Sequence, residues 1–164
     1  MHFPFKSNED CPEFKAFDRA LGAVVRELME NGYRRFYVGM AEGADLWTAG
    51  HILRLRSDFD GVELIPVLPY ESFGDGMSTQ FRERFREVLE CAEPPVVIAP
   101  GRTSDCFRKR NAFLVSHAHA LLAVCNERCL RSGTAQTVRM AQKRGLPVTF
   151  LHPQTLEVRH TPAP

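Results

Sequence analysis

No apolar run in this chain approaches the roughly 20 residues that a membrane-spanning helix needs. A basic segment followed by an apolar one, the pattern of a secretory leader, is also missing from its start. Charge of one sign is lacking too: 21 Lys and Arg face 20 Asp and Glu, a formal net charge of +1. No strong field therefore draws the chain to nucleic acid or to a membrane surface. Cysteine is sparse and odd in number, at Cys11, Cys91, Cys106, Cys125 and Cys129, with no pair at zinc-finger spacing. Reduced thiols in a cytoplasmic protein fit this best. Cys125 ends an apolar strand-like run, so it reads as a packing residue rather than as a redox partner of Cys129. There is no internal repeat, no Gly-x-Gly-x-x-Gly and no Walker A sequence.

What is present is an alternation of helical and strand patterns over 164 residues, enough for one domain with a real core. Asp10 is placed to cap a helix with Pro12 in its first turn and Glu13 closing a capping box. Phe14, Phe17, Leu21, Val24, Val25 and Leu28 recur at helical spacing, and Gly32 ends the helix. Strands are expected at Arg35–Val38, Val62–Leu68, Val96–Ala99, Ala120–Val124 and Pro147–Leu151. Helices are expected near Ala44–Ser57, Ser78–Cys91, Phe107–Ser116 and Thr134–Arg144. Such alternation predicts an α/β fold, a Rossmann-like three-layer sandwich with a mostly parallel sheet. Residues 1–153 read as a single domain and 154–164 as a flexible C-terminal tail.

Ligands in such folds gather at the carboxyl ends of the strands. The most informative stretch is there: Phe36-Tyr37-Val38-Gly39-Met40-Ala41-Glu42-Gly43-Ala44-Asp45-Leu46-Trp47. An apolar run feeds a turn with two glycines and then a helix, whose first N–H groups and positive dipole end suit a phosphate. The same residues also suit a tight turn with no ligand. Three further loops follow the next strands: Pro69 to Phe73 onward, Pro100 through Arg108-Lys109-Arg110-Asn111, and Asn126 through Ser132-Gly133-Thr134. Ser132 reads equally as a helix cap and as part of a phosphate site with the Gly133 N–H and the Thr134 hydroxyl. Arg110 is expected at a solvent-facing loop or helix end, pairing with phosphate, and Asn111 with ribose or base. Glu42 or Asp45 suits ribose hydroxyls or acid–base work, and Asp45 equally suits a cap. Trp47 reads as packing. His117 and His119 lack the carboxylates or thiols a metal site would need, so no metal is expected.

The run from Gly39 to Trp47, then Arg110-Asn111 with Leu114, Val115 and Ser116, then Ser132-Gly133-Thr134 with Thr137, Val138 and Ala141, resembles the YpsA/YoqJ-like branch of the SLOG superfamily. The resemblance covers about Phe3 to Pro153. It implies a Rossmann-like fold and a nucleotide or nucleotide-derived ligand. It relates the chain to the cytokinin-activating phosphoribohydrolases and the DprA-type DNA-processing proteins. On it, Gly39, Met40, Ala41, Glu42, Gly43, Asp45, Arg110, Asn111, Ser132, Gly133 and Thr134 form the candidate ligand site. Three departures stand out. The family's first strand, with its Gly-His-Arg-type turn, has no counterpart before Phe3-Pro4. It would lie beside Arg35–Val38, so the expectation is a rearranged or partner-completed sheet, filled by Met1–Phe5 or by self-association. Ser132 stands where Gly-Gly-Thr is usual. Thr137 stands where the phosphoribohydrolases carry a catalytic glutamate. A small nucleotide-like molecule is thus the expected partner, with no certain cofactor, and the sequence leaves sensor and enzyme both open. The rival readings are a nucleotide N-glycosidase using Glu42 or Asp45, and a DprA-like single-strand DNA or protein-interaction module. The near-zero charge balance weighs against DNA.

Overall fold

A computed structural model describes residues 5, 8–126 and 132–162. Its elements run α1 (Pro12–Glu30), β1 (Arg35–Val38), α2 (Ala44–Leu55), β2 (Glu63–Leu68), α3 (Thr79–Cys91), β3 (Val96–Val97), α4 (Cys106–His117), β4 (Leu121–Val124), α5 (Gly133–Lys143), β5 (Val148–Leu151) and β6 (Val158–Thr161). Single 3-10 turns follow α2 and precede α3. This is the mixed α/β architecture expected of a Rossmann-like protein. Two compact units are distinguished, residues 25–114 and residues 1–24 with 115–164.

Unit 25–114 holds a parallel sheet in the order β1-β2-β3. Strand β2 is buried through Pro66, Val67 and Leu68, as a strand covered on both faces should be. Pro66 has no N–H, and the ladder to β3 begins only after it, at Val67 opposite Val96. Leu46, Ala49 and Ile52 of α2 are fully buried, and Phe81, Phe85 and Val88 carry the buried face of α3. Trp47, 3% exposed, packs its ring 5.8 Å from Phe81, so it is a core residue as its spacing indicates.

The other unit holds β4, β5 and β6, with β4–β5 parallel and β5–β6 antiparallel. Its core joins Val115, Ala123, Cys125, Val138, Ala141, Val148 and Phe150. Cys125 is therefore a packing residue, and Cys129 lies outside the described residues.

Two local expectations are corrected. The helix α1 is capped by Cys11 rather than Asp10. The Cys11 thiol donates to the Asn8 carbonyl and accepts from the Phe14 N–H, while the Asn8 side chain accepts from the Asp10 N–H. Phe5 then packs edge-on against Phe14, with ring centroids 5.1 Å apart. Met1–Pro4 lie outside the described residues. Second, the segment read as a tail contains β6. The His152 ring nitrogen Nδ1 accepts from the N–H groups of Gln154 and Thr155, and Leu156 adopts a φ of 60°. That folds the chain back, and Thr161 Oγ1 both accepts from and donates to the Val148 backbone. A turn built on an imidazole instead of Asn, Asp or Gly carries no familiar turn signal.

Candidate functional site

In unit 25–114 the loop from Gly39 to Gly43 leaves the carboxyl end of β1 and delivers the chain into α2. Met40, fully buried, takes a φ of 61°, and Gly43 takes φ 89° and ψ −124°. The Gly43 geometry is open to glycine and strained for any other residue. Gly43 is the N-cap of α2 and offers no side chain to cap the first N–H groups of that helix. The α2 carboxylate Asp45 instead reaches back, and its Oδ2 accepts from the Ala41 N–H at 3.1 Å.

Arg110 braces this loop from within. Its place on α4 was expected to face solvent, but the residue is 7% exposed. Its Nη1 donates to the Gly39 carbonyl and lies 3.7 Å from Asp45 Oδ2. A Cβ on Gly39 would sit 2.0 Å from that nitrogen and 2.8 Å from Asp45 Oδ2. A side chain at position 39 would therefore have to displace the end of the Arg110 side chain. Burial pulls the Arg110 pKa down, and the Asp45 charge opposes the shift. The Arg110 Nε–H is buried with no acceptor among the described residues. Asn111, the next residue, is 5% exposed.

Glu42 is exposed, and its Oε1 accepts from the Ser78 N–H at 2.7 Å, at the start of α3. A carboxylate there answers an unpaired donor and the positive helix end together. Glu42 and Asp45, the candidate ribose ligands or catalytic carboxylates, are both engaged in holding local structure. Two cations of the basic run before Asn111 share one carboxylate: Asp105 lies 3.0 Å from Lys109 Nζ and 3.6 Å from Arg108 Nη2.

Ser132, Gly133 and Thr134 lie in the other unit. There the Ser132 hydroxyl caps α5 by accepting from the Ala135 N–H at 3.1 Å. Thr137, at the place of the phosphoribohydrolases' glutamate, donates its hydroxyl to the Gly133 carbonyl at 3.0 Å. Asn126 is described, and the loop residues 127–131 are outside the described set. No group of three or more His, Cys, Asp or Glu able to hold a metal ion occurs among the described residues. Nor is any described helix long and apolar enough to cross a membrane.

The structure adds an aromatic group that sequence reasoning passed over. Tyr70 and Phe73, in the loop after β2, meet Phe107 of α4 with centroids 6.2 and 5.8 Å from its ring. The loop after β2 was singled out by its position, but Phe107 had only a helical pattern to announce it.

A parallel sheet, glycine-bearing turns at a strand's carboxyl end and a braced helix start define a Rossmann-like α/β protein. The chain belongs to the YpsA family, described as the YspA SLOG family, which it matches over residues 5–156. It is similar to a UPF0398 protein of Bacillus cereus strain AH820, 24% identical over 83% of this chain and 74% of that protein. It is similar to a UPF0398 protein of Bacillus pumilus strain SAFR-032, 23% identical over 71% of this chain and 63% of the relative. A third, from Leuconostoc citreum strain KM20, is 22% identical over 68% and 60%. A solved structure of (E)-4-hydroxy-3-methyl-but-2-enyl diphosphate reductase aligns with a TM-score of 0.19 at 14% identity, over 88% of this chain and 50% of that one. A likeness that weak bears on neither fold nor function.

Proposed function

We propose that this chain binds a nucleotide or nucleotide-derived phosphorylated ligand at the carboxyl ends of the strands of unit 25–114. The observation that carries the reading is the pairing of an α2 start without a side-chain cap and a buried Arg110 whose Nε–H is unanswered. A phosphate there would meet helix N–H groups and a neighbouring guanidinium, the two donors that recur around phosphate. In this reading the loop Gly39, Met40, Ala41, Gly43 supplies the backbone frame, Arg110 braces it and faces the anion through Nε, and Asn111 reads ribose or base. Glu42 contributes its second carboxylate oxygen to ribose hydroxyls. Ser132, Gly133 and Thr134 stay candidate ligand residues through the family resemblance, with the Gly133 N–H and the Thr134 hydroxyl as the groups concerned. SLOG membership supports a nucleotide-related ligand in coarse terms.

Binding is favoured over hydrolysis by the state of the carboxylates. A glycosidic cleavage needs one carboxylate to stabilise the cationic sugar or activate water. Thr137 supplies none, and Asp45 accepts the Ala41 N–H and lies beside Arg110, which leaves Glu42 as the one carboxylate the glycosidase reading would use. The test is calorimetry of the purified chain against nucleoside mono- and diphosphates, with chromatography of the same mixtures for free base. Saturable binding without base release is the expected result. Absence of binding across the panel would overturn the reading, and stoichiometric base release would replace it with the glycosidase.

A further inference from the structure

We infer that the ring of Phe107 is a stacking platform for the aromatic base of the ligand, so that the site selects a nucleotide over a base-less sugar phosphate. This rests on the nucleotide reading above and goes beyond it by assigning the base its own contact. Tyr70, Phe73 and Phe107 form a trio in which every pair is edge-on: Tyr70–Phe73 at 85°, Tyr70–Phe107 at 90° and Phe73–Phe107 at 71°. Each edge-on pair sets the edge of one ring against the face of the other, so the open area of the trio is what solvent still reaches. The trio is held from below. Phe85, 6% exposed, lies 6.3 Å from Phe73, and Gly74 leaves the room for it, since a Cβ there would come within 2.6 Å of the Phe85 ring. A rigid pair of half-buried rings therefore fixes Phe107, which remains 37% exposed.

Position ties this ring to the phosphate end. Phe107 precedes Arg110 by three residues on α4, so the two side chains leave neighbouring points of one helix face. Arg110 then touches the loop that starts α2, and Glu42 of that loop accepts from the N–H of Ser78, five residues beyond Phe73. One turn of α4 and the Arg110–Gly39 hydrogen bond thus link the partly exposed Phe107 ring to the loop that starts α2. A flat base covering Phe107 removes apolar area from water and gains ring–ring attraction with no polar group to desolvate.

The experiment compares adenosine monophosphate with ribose 5-phosphate by calorimetry on the parent protein, Phe107→Ala and Phe107→Trp. The parent is expected to prefer the nucleotide. Phe107→Ala should weaken the nucleotide by roughly 5- to 150-fold, the factor for losing one base–aromatic stack, and leave ribose 5-phosphate unchanged. Phe107→Trp should keep the preference, and its new fluorescence should be quenched by the nucleotide and not by the sugar phosphate. The parent's one tryptophan, Trp47, is buried and supplies a constant background. Equal affinity of the parent for the two ligands, or an unchanged nucleotide affinity in Phe107→Ala, overturns the stacking role and leaves the phosphate site standing. A change of oligomeric state in Phe107→Ala with nucleotide affinity intact also overturns it, and assigns the ring to a protein contact. Failure of the parent to bind either compound removes the nucleotide reading itself, and this inference with it.

Discussion

Two helix starts in this chain look alike on paper and are met differently in the fold. At α5 the Ser132 hydroxyl accepts from the Ala135 N–H, and Thr137 bonds back to Gly133. The helix answers its own first donors in part, as a capped helix does. At α2 the capping position is Gly43, in a backbone geometry strained for other residues, and it makes no side-chain cap bond. The polarity there is organised from outside, by Arg110 across a gap of 71 residues and by Asp45 reaching backward. A capped start gains local stability. An uncapped start braced by a distant guanidinium keeps its donors available, at the expense of a buried charge with an orphaned Nε–H.

The strongest blow to this contrast is Arg110→Ala. It leaves the buried Gly39 carbonyl without its donor, frees Asp45 and opens a hole beside the loop. A loss of about 2–4 kcal/mol is expected from a hydrogen bond to a charged group plus a partial cavity. Urea unfolding should show it as a lower midpoint. Gly39→Ala should cost about 1–3 kcal/mol by crowding the same guanidinium. The two changes compete for one space, so the double variant should be less harmful than their sum by about 0.5 kcal/mol or more. An Arg110→Ala protein as stable as its parent would place the brace elsewhere.

Gly43→Ala comes next. A side chain at φ 89° and ψ −124° costs about 1–3 kcal/mol in strain, and the start of α2 would shift to relieve it. Melting should fall modestly while nucleotide affinity falls more, because the donors move. A variant that loses stability but keeps its affinity would detach α2 from the ligand.

The order of elements was legible because its signals are local. Apolar runs closed by Gly39 and by Pro69 marked β1 and β2, helical spacing marked α1 and α3, and Gly32 and Gly145 at positive φ end α1 and α5 as their sequence positions indicate. Of the candidate residues, the fold adds which ones touch: Arg110 meets Gly39 and lies near Asp45. Gly39 and Gly43 signal a special turn, but only the fold shows that the first makes room for Arg110 and the second sets the backbone of α2. Arg110 sits in a run of cations, and sequence alone does not say which of three adjacent charges turns inward. Burial decides it: Arg108 and Lys109 stay exposed around Asp105 while Arg110 disappears. In the aromatic trio Phe107 lies 34 and 37 positions from Phe73 and Tyr70, a distance no periodicity spans. Strand β6 escaped because a histidine ring and a non-glycine residue at positive φ make its turn.

The capped side of the comparison sharpens with Ser132. Ser132→Ala removes the acceptor for Ala135 and should cost about 1 kcal/mol. Ser132→Gly should cost only a few tenths of a kcal/mol, and it restores the Gly-Gly-Thr pattern usual in the family. If Ser132→Gly instead lowers stability as much as Ser132→Ala does, the Ser132 hydroxyl is not what holds the start of α5.

The smallest effect is expected at a third helix start, that of α4. Asp105 accepts from the Thr103 hydroxyl at 2.9 Å and pairs with Lys109 at 3.0 Å. The hydrogen bond from Lys109, and then that from Thr103, hold its carboxyl below its ordinary value of 3.8, with desolvation opposing. A carboxylate depressed in the folded state adds stability that is present above its unfolded pKa and is lost as pH falls through the folded one. The window therefore lies below about pH 4, and the contribution is small because the group is exposed to water and salt. Carbon-detected NMR titration should place the Asp105 midpoint under 3.8. Lys109→Ala should raise that midpoint more than Thr103→Ala does. Saturating nucleotide should leave it where it was, since Arg108 and Lys109 stay with Asp105 while Arg110 meets the ligand. A midpoint that climbs on adding nucleotide would show these cations leaving Asp105 for the phosphate, and would move the anion site from the start of α2 to the start of α4.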